Sequence, residues 1–305
     1  MRFAVLDLGT NTFNLLIAEL FNKKFKIIYN NRIAVKIGEG GIEKNIIAFD
    51  AFQRGLNAIA IHKTTIEAYQ VKTILAYGTS ALRTAKNANE FKQSVKKSFD
   101  IKIEIISGEK EAEYISKGVI HSISPVKRPV LILDIGGGSN EFIIADQNKI
   151  YWKRSYQMGM ARLIEHFSIS DPITFDQIKS LENHFNSELQ DLYNQVDKYK
   201  PSILVGAEGS FESFFLMINQ IDCDSGYHNM SVNLSIEDFY SLHEKLTHSI
   251  LADRLQMKGL EVYRAEMIVP ASIFVNFVLK KLNINKIIVS FYSLKEGAAI
   301  SYLRI

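Results

Sequence analysis

Features that mark secreted, membrane-bound or cysteine-ligated metal proteins are scarce in this 305-residue sequence. Cysteine occurs once, at Cys223, which excludes an intramolecular disulfide and a cysteine-based metal site. The seven histidines are dispersed without an H-E-x-x-H spacing, which argues against a histidine-held metal. This residue usage fits a reducing environment, and we therefore expect a cytoplasmic protein.

Long apolar runs and strong net charge are also missing. No run of about 18 uncharged apolar residues exists. The apolar N-terminus is interrupted by Asp7, Asn11 and Asn14, which makes it a poor signal peptide. The net charge of +3 is too small to indicate nucleic-acid binding by itself. We therefore expect neither a membrane nor a nucleic acid as a partner.

The length favours two domains of roughly 150 residues each. Residues 122–129 contain two prolines and two basic residues and form the best boundary, which predicts domains at 1–123 and 124–305. Strands mixed with helices in both halves predict an α/β fold with a mixed sheet in each.

The apolar patterns predict individual elements. Strands are expected at 2–8, 13–20, 25–29, 72–77, 101–106, 129–133, 142–146, 150–156, 202–205 and 286–289. Helices are expected at 47–69, from Gly78 to about 99, 107–120, about 159–167, 174–197 and after Ser210, with a largely helical remainder and a short final helix. That final helix is a candidate to pack back on the first domain.

Two loops share one pattern, "VLDLGTN" near the start and "LILDIGGGSNE" at 131–141. A shift of 127 positions lays Asp7 on Asp134 and Gly9 on Gly136. Glycines allow backbone N–H groups to approach an anion closely, and an acid at the strand end suits a hard cation such as Mg²⁺. Two such loops, one per half, predict a clamp for a phosphate chain. Short polar donors add to it at Thr10, Asn11, Thr12, Ser139 and Asn140.

Two helix starts offer further candidates. Gly78-Thr79-Ser80 precedes Arg83, which is able to make a bidentate phosphate contact. In "SGEKEAEYISKGV", Ser107 is a plausible N-cap, and an acid in the following turns is a candidate general base. Spacing alone does not choose between Glu109, Glu111 and Glu113. Neither glycine loop is a Walker A motif, because no Gly-Lys-Ser/Thr follows, nor a dinucleotide fingerprint.

Together these segments resemble the exopolyphosphatase/guanosine pentaphosphate phosphatase (Ppx/GppA) family of the actin, Hsp70 and acetate-kinase superfamily. The resemblance covers nearly the whole chain and rests on "LDLGTNTFNLL" (6–16), "YGTSALRTAKN" (77–87), "SGEKEAEYISKGV" (107–119), "LDIGGGSNEF" (133–142), "GMARLIEHF" (159–167), "GLEVYRAEMI" (259–268) and "VSFYSLKEGA" (289–298). It implies two ribonuclease-H-like domains around an interdomain cleft, in the short form without the C-terminal His-Asp domain of longer relatives.

The resemblance also assigns roles. It implies a Mg²⁺-dependent hydrolase of polyphosphate or guanosine pentaphosphate in which Glu111 activates water. The acids implied to hold the metal are Asp134 and Glu141, with Asp7 as a third candidate. The resemblance implies phosphate contacts at Thr10, Asn11, Arg83, Gly137, Gly138 and Ser139. The loop pattern adds Thr12, Gly136 and Asn140 to the predicted phosphate-binding positions. A homodimer is expected, since symmetric dimers are the commonest soluble assemblies.

Some positions depart from the family pattern. Lys110 replaces the first of two consecutive acids, and Asn140 replaces a usual Thr. The usual G-T-G-G-T loop is Gly206-Ala207-Glu208-Gly209-Ser210, and "SFYSLKEG" lacks an acid and a glycine. If Glu208 faces a phosphate, the two charges at 4 Å would repel by roughly 4 kcal/mol, which would weaken binding or select another ligand. A non-catalytic phosphate sensor and a nucleotide-dependent kinase remain alternatives, although the altered glycine loop argues against a kinase's purine pocket.

Overall fold

The computed structural model describes residues 2–21, 24–223 and 229–303 of the protein. The sequence predicts a turn at Asn22, Lys23 and Lys24, of which Asn22 and Lys23 lie outside these ranges and Lys24 begins a strand. No helix in the described ranges is both long and apolar enough to cross a membrane.

The first half forms a five-stranded mixed sheet. Its elements are β1 (Arg2–Leu8), β2 (Thr12–Phe21), β3 (Lys24–Ala34), α1 (Phe49–Ala68), β4 (Thr73–Gly78), α2 (Ser80–Thr84), α3 (Ala88–Phe99), β5 (Ile103–Ile105) and α4 (Gly108–Ile123). The strand order is β3-β2-β1-β4-β5. Strand β1 runs antiparallel to β2 and parallel to β4, so the polar loop after β1 and the start of α2 lie at the same sheet edge.

The second half repeats this plan in a six-stranded sheet. Its elements are β6 (Val130–Ile135), β7 (Asn140–Ala145), β8 (Ile150–Tyr156), α5 (Met160–Phe167), α6 (Phe175–Glu188), α7 (Gln190–Tyr199), β9 (Leu204–Ala207), α8 (Gly209–Ile218), β10 (Ser231–Leu234), α9 (Ile236–His248), α10 (Leu251–Arg254), a 3₁₀ turn (Val262–Arg264), α11 (Ile268–Leu282), β11 (Ile287–Ser290) and α12 (Leu294–Leu303). The order is β10-β11-β9-β6-β7-β8, with β6 antiparallel to β7 and parallel to β9.

Helices α4 and α12 join the two sheets through a shared apolar core. Helix α12 packs on β1 and β2, whereas α4 packs on β7 and β8, so each half contributes a helix to the other half's sheet. The two helices touch backbone to backbone, since a Cβ on Gly297 would lie 1.7 Å from the Tyr114 carbonyl oxygen. This crossing places the start of α4 and the start of α12 beside the same cleft. The boundary at 123/124 stays a prediction, although each sheet lies on its own side of it.

Several predicted elements differ in extent. The helix expected from Gly78 to about 99 is two helices, because the backbone is extended at Ala85 and the Asn87 side chain bonds both backbone groups of Ile47. The helix expected at 174–197 is interrupted at Leu189. Strand β10 was not predicted, because its sequence "SVNL" is short and polar and is held as a strand by pairing with β11.

Candidate active site

The two glycine loops form the same turn in both halves. The Gly9 N–H donates to the Thr12 carbonyl at 2.9 Å, and the Gly136 N–H donates to the Ser139 carbonyl at 3.0 Å. Strand register extends the equivalence, since Asp7 pairs with Asn14 and Asp134 pairs with Glu141. The 127-residue offset therefore holds from the strand-end acid to the first residues of the next strand.

The loops also face each other closely. A Cβ on Gly137 would lie 2.3 Å from the Asn11 Nδ2 of the opposite loop. One on Gly138 would lie 2.7 Å from Thr10 Oγ1 and 2.6 Å from Ser80 Oγ. Only glycine fits this approach without moving its neighbours, which explains why the second loop has no side chains at these positions.

The facing loops line a cleft of about 110 Å³ between the two halves. Eleven predicted site residues lie along it: Asp7, Thr10, Asn11, Thr12, Glu111, Asp134, Gly136, Gly137, Gly138, Ser139 and Glu141. The structure thus brings together residues that are up to 134 positions apart in the chain.

Two predicted residues, Arg83 and Asn140, are not part of this lining. The Arg83 Nη1 donates to Glu111 Oε2 at 2.8 Å and to the Ile106 carbonyl at 3.0 Å, so the guanidinium lies behind the glutamate. The Asn140 Nδ2 donates to the Met158 carbonyl at 2.8 Å, away from the cleft. The structure therefore gives the Asn140 side chain a buried structural bond rather than a place beside a ligand.

Two strand-end aspartates, one from each loop, lie at the base of the cleft. Burial raises the pKa of Asp7 to about 6, although Asn14 Nδ2 donates to it at 2.8 Å. Burial likewise raises the pKa of Asp134 to about 7, although Ser293 Oγ donates to it at 2.6 Å. Each carboxylate is thus fixed by one neutral donor and has no direct cationic partner in the described part of the chain.

Glu141 is the third buried acid and is held by two hydroxyls. Ser139 Oγ donates to its Oε1 at 2.8 Å, and Ser155 Oγ donates to the same oxygen at 2.6 Å. Burial and then the charge of Asp134 raise the pKa of Glu141 to about 7. Both hydrogen bonds fix the orientation of this carboxylate through its Oε1 atom.

Glu111 is the acid of the α4 start that enters the cleft. Ser107 caps the helix by accepting the Lys110 N–H at 3.1 Å, which fixes Glu111 one turn inside. Glu111 is only 7% exposed, and burial followed by the Glu141 charge raises its pKa well above the usual range, against the effect of Arg83. Its neighbours differ, because Glu109 is exposed and Glu113 pairs with Lys110 and Lys153.

The cleft is acidic overall, which bears on cation binding. Five carboxylates line it, from Asp7, Glu111, Asp134, Glu141 and Glu208, against two arginines, Arg32 and Arg264. A phosphate chain needs a cation in such surroundings. Among the described residues no three acidic, histidine or cysteine side chains converge to bind one ion directly. The donor set instead fits Mg²⁺, which keeps several waters and uses one or two carboxylates.

Buried polar atoms without protein partners also indicate that the cleft binds an ion or a ligand. Asn14 Oδ1 and Ser80 Oγ both belong to residues that line the cleft, and neither is bonded within the described protein. The Arg83 Nη2 behind Glu111 is in the same condition. Such atoms are rare in folded proteins unless water, an ion or a ligand satisfies them.

Several cleft residues were missed as site residues from the sequence. Arg32, Arg264 and Ser293 line the cleft, and Lys295 lies directly behind Glu208. Three of these, Arg264, Ser293 and Lys295, fall inside segments that carried the family resemblance, which was the available signal. Arg32 lies on β3 and reaches the cleft only because β3 pairs along β2 as far as Thr12.

Comparisons with known proteins agree with this site. The Ppx/GppA phosphatase family matches residues 16–304. An exopolyphosphatase structure from Cytophaga hutchinsonii superimposes with a TM-score of 0.95 at 35% identity and covers 100% of this chain and 98% of its own. The Ppx/GppA family member from Aquifex aeolicus gives a TM-score of 0.81 at 25% identity, with 100% and 98% covered.

A longer relative matches in sequence. The guanosine-5'-triphosphate,3'-diphosphate pyrophosphatase of Vibrio cholerae is 26% identical over 97% of this chain, which spans 58% of that protein's length. The actin-like fold of two mixed-sheet domains and the predicted resemblance are both confirmed by these matches. This chain belongs to the Ppx/GppA phosphatase family, whose members are hydrolases of phosphoanhydride bonds.

Proposed function

We propose that the protein removes the terminal phosphate of inorganic polyphosphate or of guanosine-5'-triphosphate,3'-diphosphate in a Mg²⁺-dependent hydrolysis. The observation that carries the proposal is the position of Glu111, which is buried in the same cleft as the two facing loops. Membership of the family and the names of its relatives support the substrate class.

Glu111 is the proposed general base. A water held beside its carboxylate attacks the terminal phosphorus, a new O–P bond forms, and the bridging P–O bond breaks. The water proton passes to Glu111, while the leaving phosphate chain carries the electron pair of the broken bond. Burial raises the pKa of Glu111, which makes its carboxylate a stronger base than that of an exposed glutamate.

The other residues position the reacting groups and balance the charge of the phosphates. Arg83 holds Glu111 from behind by a bond of 2.8 Å, and its buried Nη2 has no partner within the described protein. Backbone N–H groups of both loops would donate to a phosphate chain that passes between the loops. Their contribution to catalysis is mostly to position that chain. Asp134 and Glu141, with Asp7, would hold Mg²⁺ partly through water. When bound, this ion withdraws charge from phosphate oxygens.

Phosphate release from both substrates with Mg²⁺ tests the proposal. We expect release by the wild type and a decrease of about 10²- to 10⁴-fold in kcat for Glu111→Gln, the range for loss of a general base. Glu109→Gln is the matched control, because this acid lies on the same helix turn but is exposed. Undiminished release by Glu111→Gln would remove Glu111 as the base, and binding without release by the wild type would favour a sensor.

A further inference from the structure

Glu208 and Lys295 form a buried ion pair at the wall of the cleft. Glu208 lines the cleft at the N-cap of α8, and its carboxylate is paired with the Lys295 ammonium. Lys295 is 2% exposed and also lies 3.2 Å from Glu296 Oε1. The charge of Lys295 is therefore neutralised within the protein, and the group that faces the cleft is a carboxylate.

The sheet order fixes where this pair lies. Strands β9, β6 and β7 are neighbours, so Glu208 follows β9 on one side of Asp134, and Glu141 lies on the other side. Glu111 and Arg83 are on the Glu141 side. A Cβ on Gly108, at the start of α4, would lie 2.8 Å from Ser155 Oγ, which bonds Glu141, and 3.7 Å from Arg83 Nη2, whose guanidinium bonds Glu111. A chain whose terminal phosphate lies beside Glu111 therefore extends past Asp134 toward Glu208.

The backbone of Glu208 is held in an unfavourable conformation. Its φ of 38° and ψ of −149° belong to a region that favours glycine. The Glu208 N–H donates to the Ser290 carbonyl at 2.7 Å, which fixes the turn. Residues kept in such conformations are concentrated at ligand-binding sites. A glutamate here, in place of a glycine, points to a role for its side chain.

The remaining charges at this end are also neutralised. Arg32 Nη2 lies 3.0 Å from Glu212, and Arg264 Nε lies 2.6 Å from Glu261. The other charged groups at this end are Glu208, Glu296 and Lys295. In total, four carboxylates lie beside three cations. A phosphate placed here would meet a carboxylate and no unneutralised cation among the residues that the structure describes, whereas a hydroxyl would find an acceptor.

We infer that Glu208 is a specificity-determining residue. It favours a substrate whose phosphate chain ends on a hydroxyl-bearing sugar over a substrate whose phosphate chain continues. This inference rests on the proposed function and names the substrate class of the same cleft. Of the two candidate substrates, it selects the nucleotide over long inorganic polyphosphate. The carboxylate repels the next phosphate of the long chain and accepts a hydrogen bond from the 2′-hydroxyl, the one free ribose hydroxyl of the nucleotide.

The test compares kcat/KM for long-chain polyphosphate with kcat/KM for guanosine-5'-triphosphate,3'-diphosphate. We expect the wild type to prefer the nucleotide. We expect Glu208→Gln to shift the ratio toward polyphosphate by about tenfold or more, because the Lys295 charge then faces the chain. Glu208→Gly is a second variant that removes the charge and suits the positive φ, so it should fold even if Glu208→Gln does not.

Glu237→Gln serves as the control, because it removes an exposed acid at the start of α9, outside the cleft lining. A ratio that stays within about twofold of the wild type in both Glu208 variants, or moves toward the nucleotide, overturns the inference while the proposed function stands. Release from neither substrate by the wild type would instead overturn the proposed function and the inference with it.

Discussion

The two glycine loops share one backbone turn but differ in charge. In the first, the residue that pairs with the strand-end acid is Asn14, and in the second it is Glu141. The second loop therefore contributes two buried carboxylates and the first contributes one. The first loop contributes side chains at Thr10 and Asn11, where the second has glycines. The repeated fold thus supplies one phosphate cradle from two unequal parts, one bearing more acids and one bearing more neutral donors.

The largest expected difference between the loops is at their paired positions. Glu141→Gln should lower Mg²⁺-dependent phosphate release by about 100-fold, because it removes one of the carboxylates proposed to hold the ion. Asn14→Ala should lower it by less than about tenfold, because it removes only a neutral donor to Asp7. Steady-state rates over a Mg²⁺ titration measure both, and equal losses would contradict the unequal roles of the loops.

A smaller difference is expected at the glycines. Gly137→Ala places a Cβ 2.3 Å from the Asn11 amide, so Asn11 must move, and we expect KM to rise by about tenfold. Gly9→Ala meets only the Thr12 carbonyl oxygen at 3.1 Å and should change KM by less than about threefold. Thermal unfolding of both variants is the control, since a loss of fold would also raise KM. A larger effect at Gly9 would show that the loops do not face each other in this way.

The last comparison is between the two strand-end acids, which are expected to differ by only about 1 kcal/mol in their effect on stability. Both pKa values are raised by burial, so the native state binds protons that the unfolded state releases, and stability decreases as pH rises. Without Mg²⁺ at pH 8, Asp134→Asn should raise the free energy of unfolding by up to about 4 kcal/mol, and Asp7→Asn by up to about 3 kcal/mol. Urea unfolding between pH 5 and 8 measures this gain, which should shrink toward pH 5.

The opposite result at pH 8 would contradict this prediction. If both variants are less stable than the wild type at pH 8, then hydrogen bonds from Asn14 and Ser293 outweigh the cost of burying the charges. Added Mg²⁺ should raise the stability of the wild type more than that of either variant, because binding to the native state stabilises it.

Much of this architecture is predictable from local patterns. The loops, the strand–loop–strand repeat and the capped start of α4 depend on residues close in the chain, which is why Asp7, Asp134 and Ser107 were identified from sequence. The choice between Glu109, Glu111 and Glu113 from spacing alone was not possible, because it depends on which side chain the packing of α4 turns into the cleft.

The unpredicted parts depend on long-range contacts. Glu208 meets Lys295 across 87 residues, and Ser293 meets Asp134 across 159. The lysine that holds the Glu208 carboxylate is therefore one that no local pattern pairs with it. Asn140 shows the reverse, because it lies in the right loop but its side chain bonds the Met158 carbonyl after α5 packs under the turn.

The most direct test of the two-loop clamp is a crystal structure of Glu111→Gln with Mg²⁺ and tripolyphosphate. We predict that consecutive phosphates lie between the loops, with oxygens bonded to backbone N–H groups from both residues 9–12 and residues 136–139. A chain bound by one loop alone, or bound outside this cleft, would contradict the account.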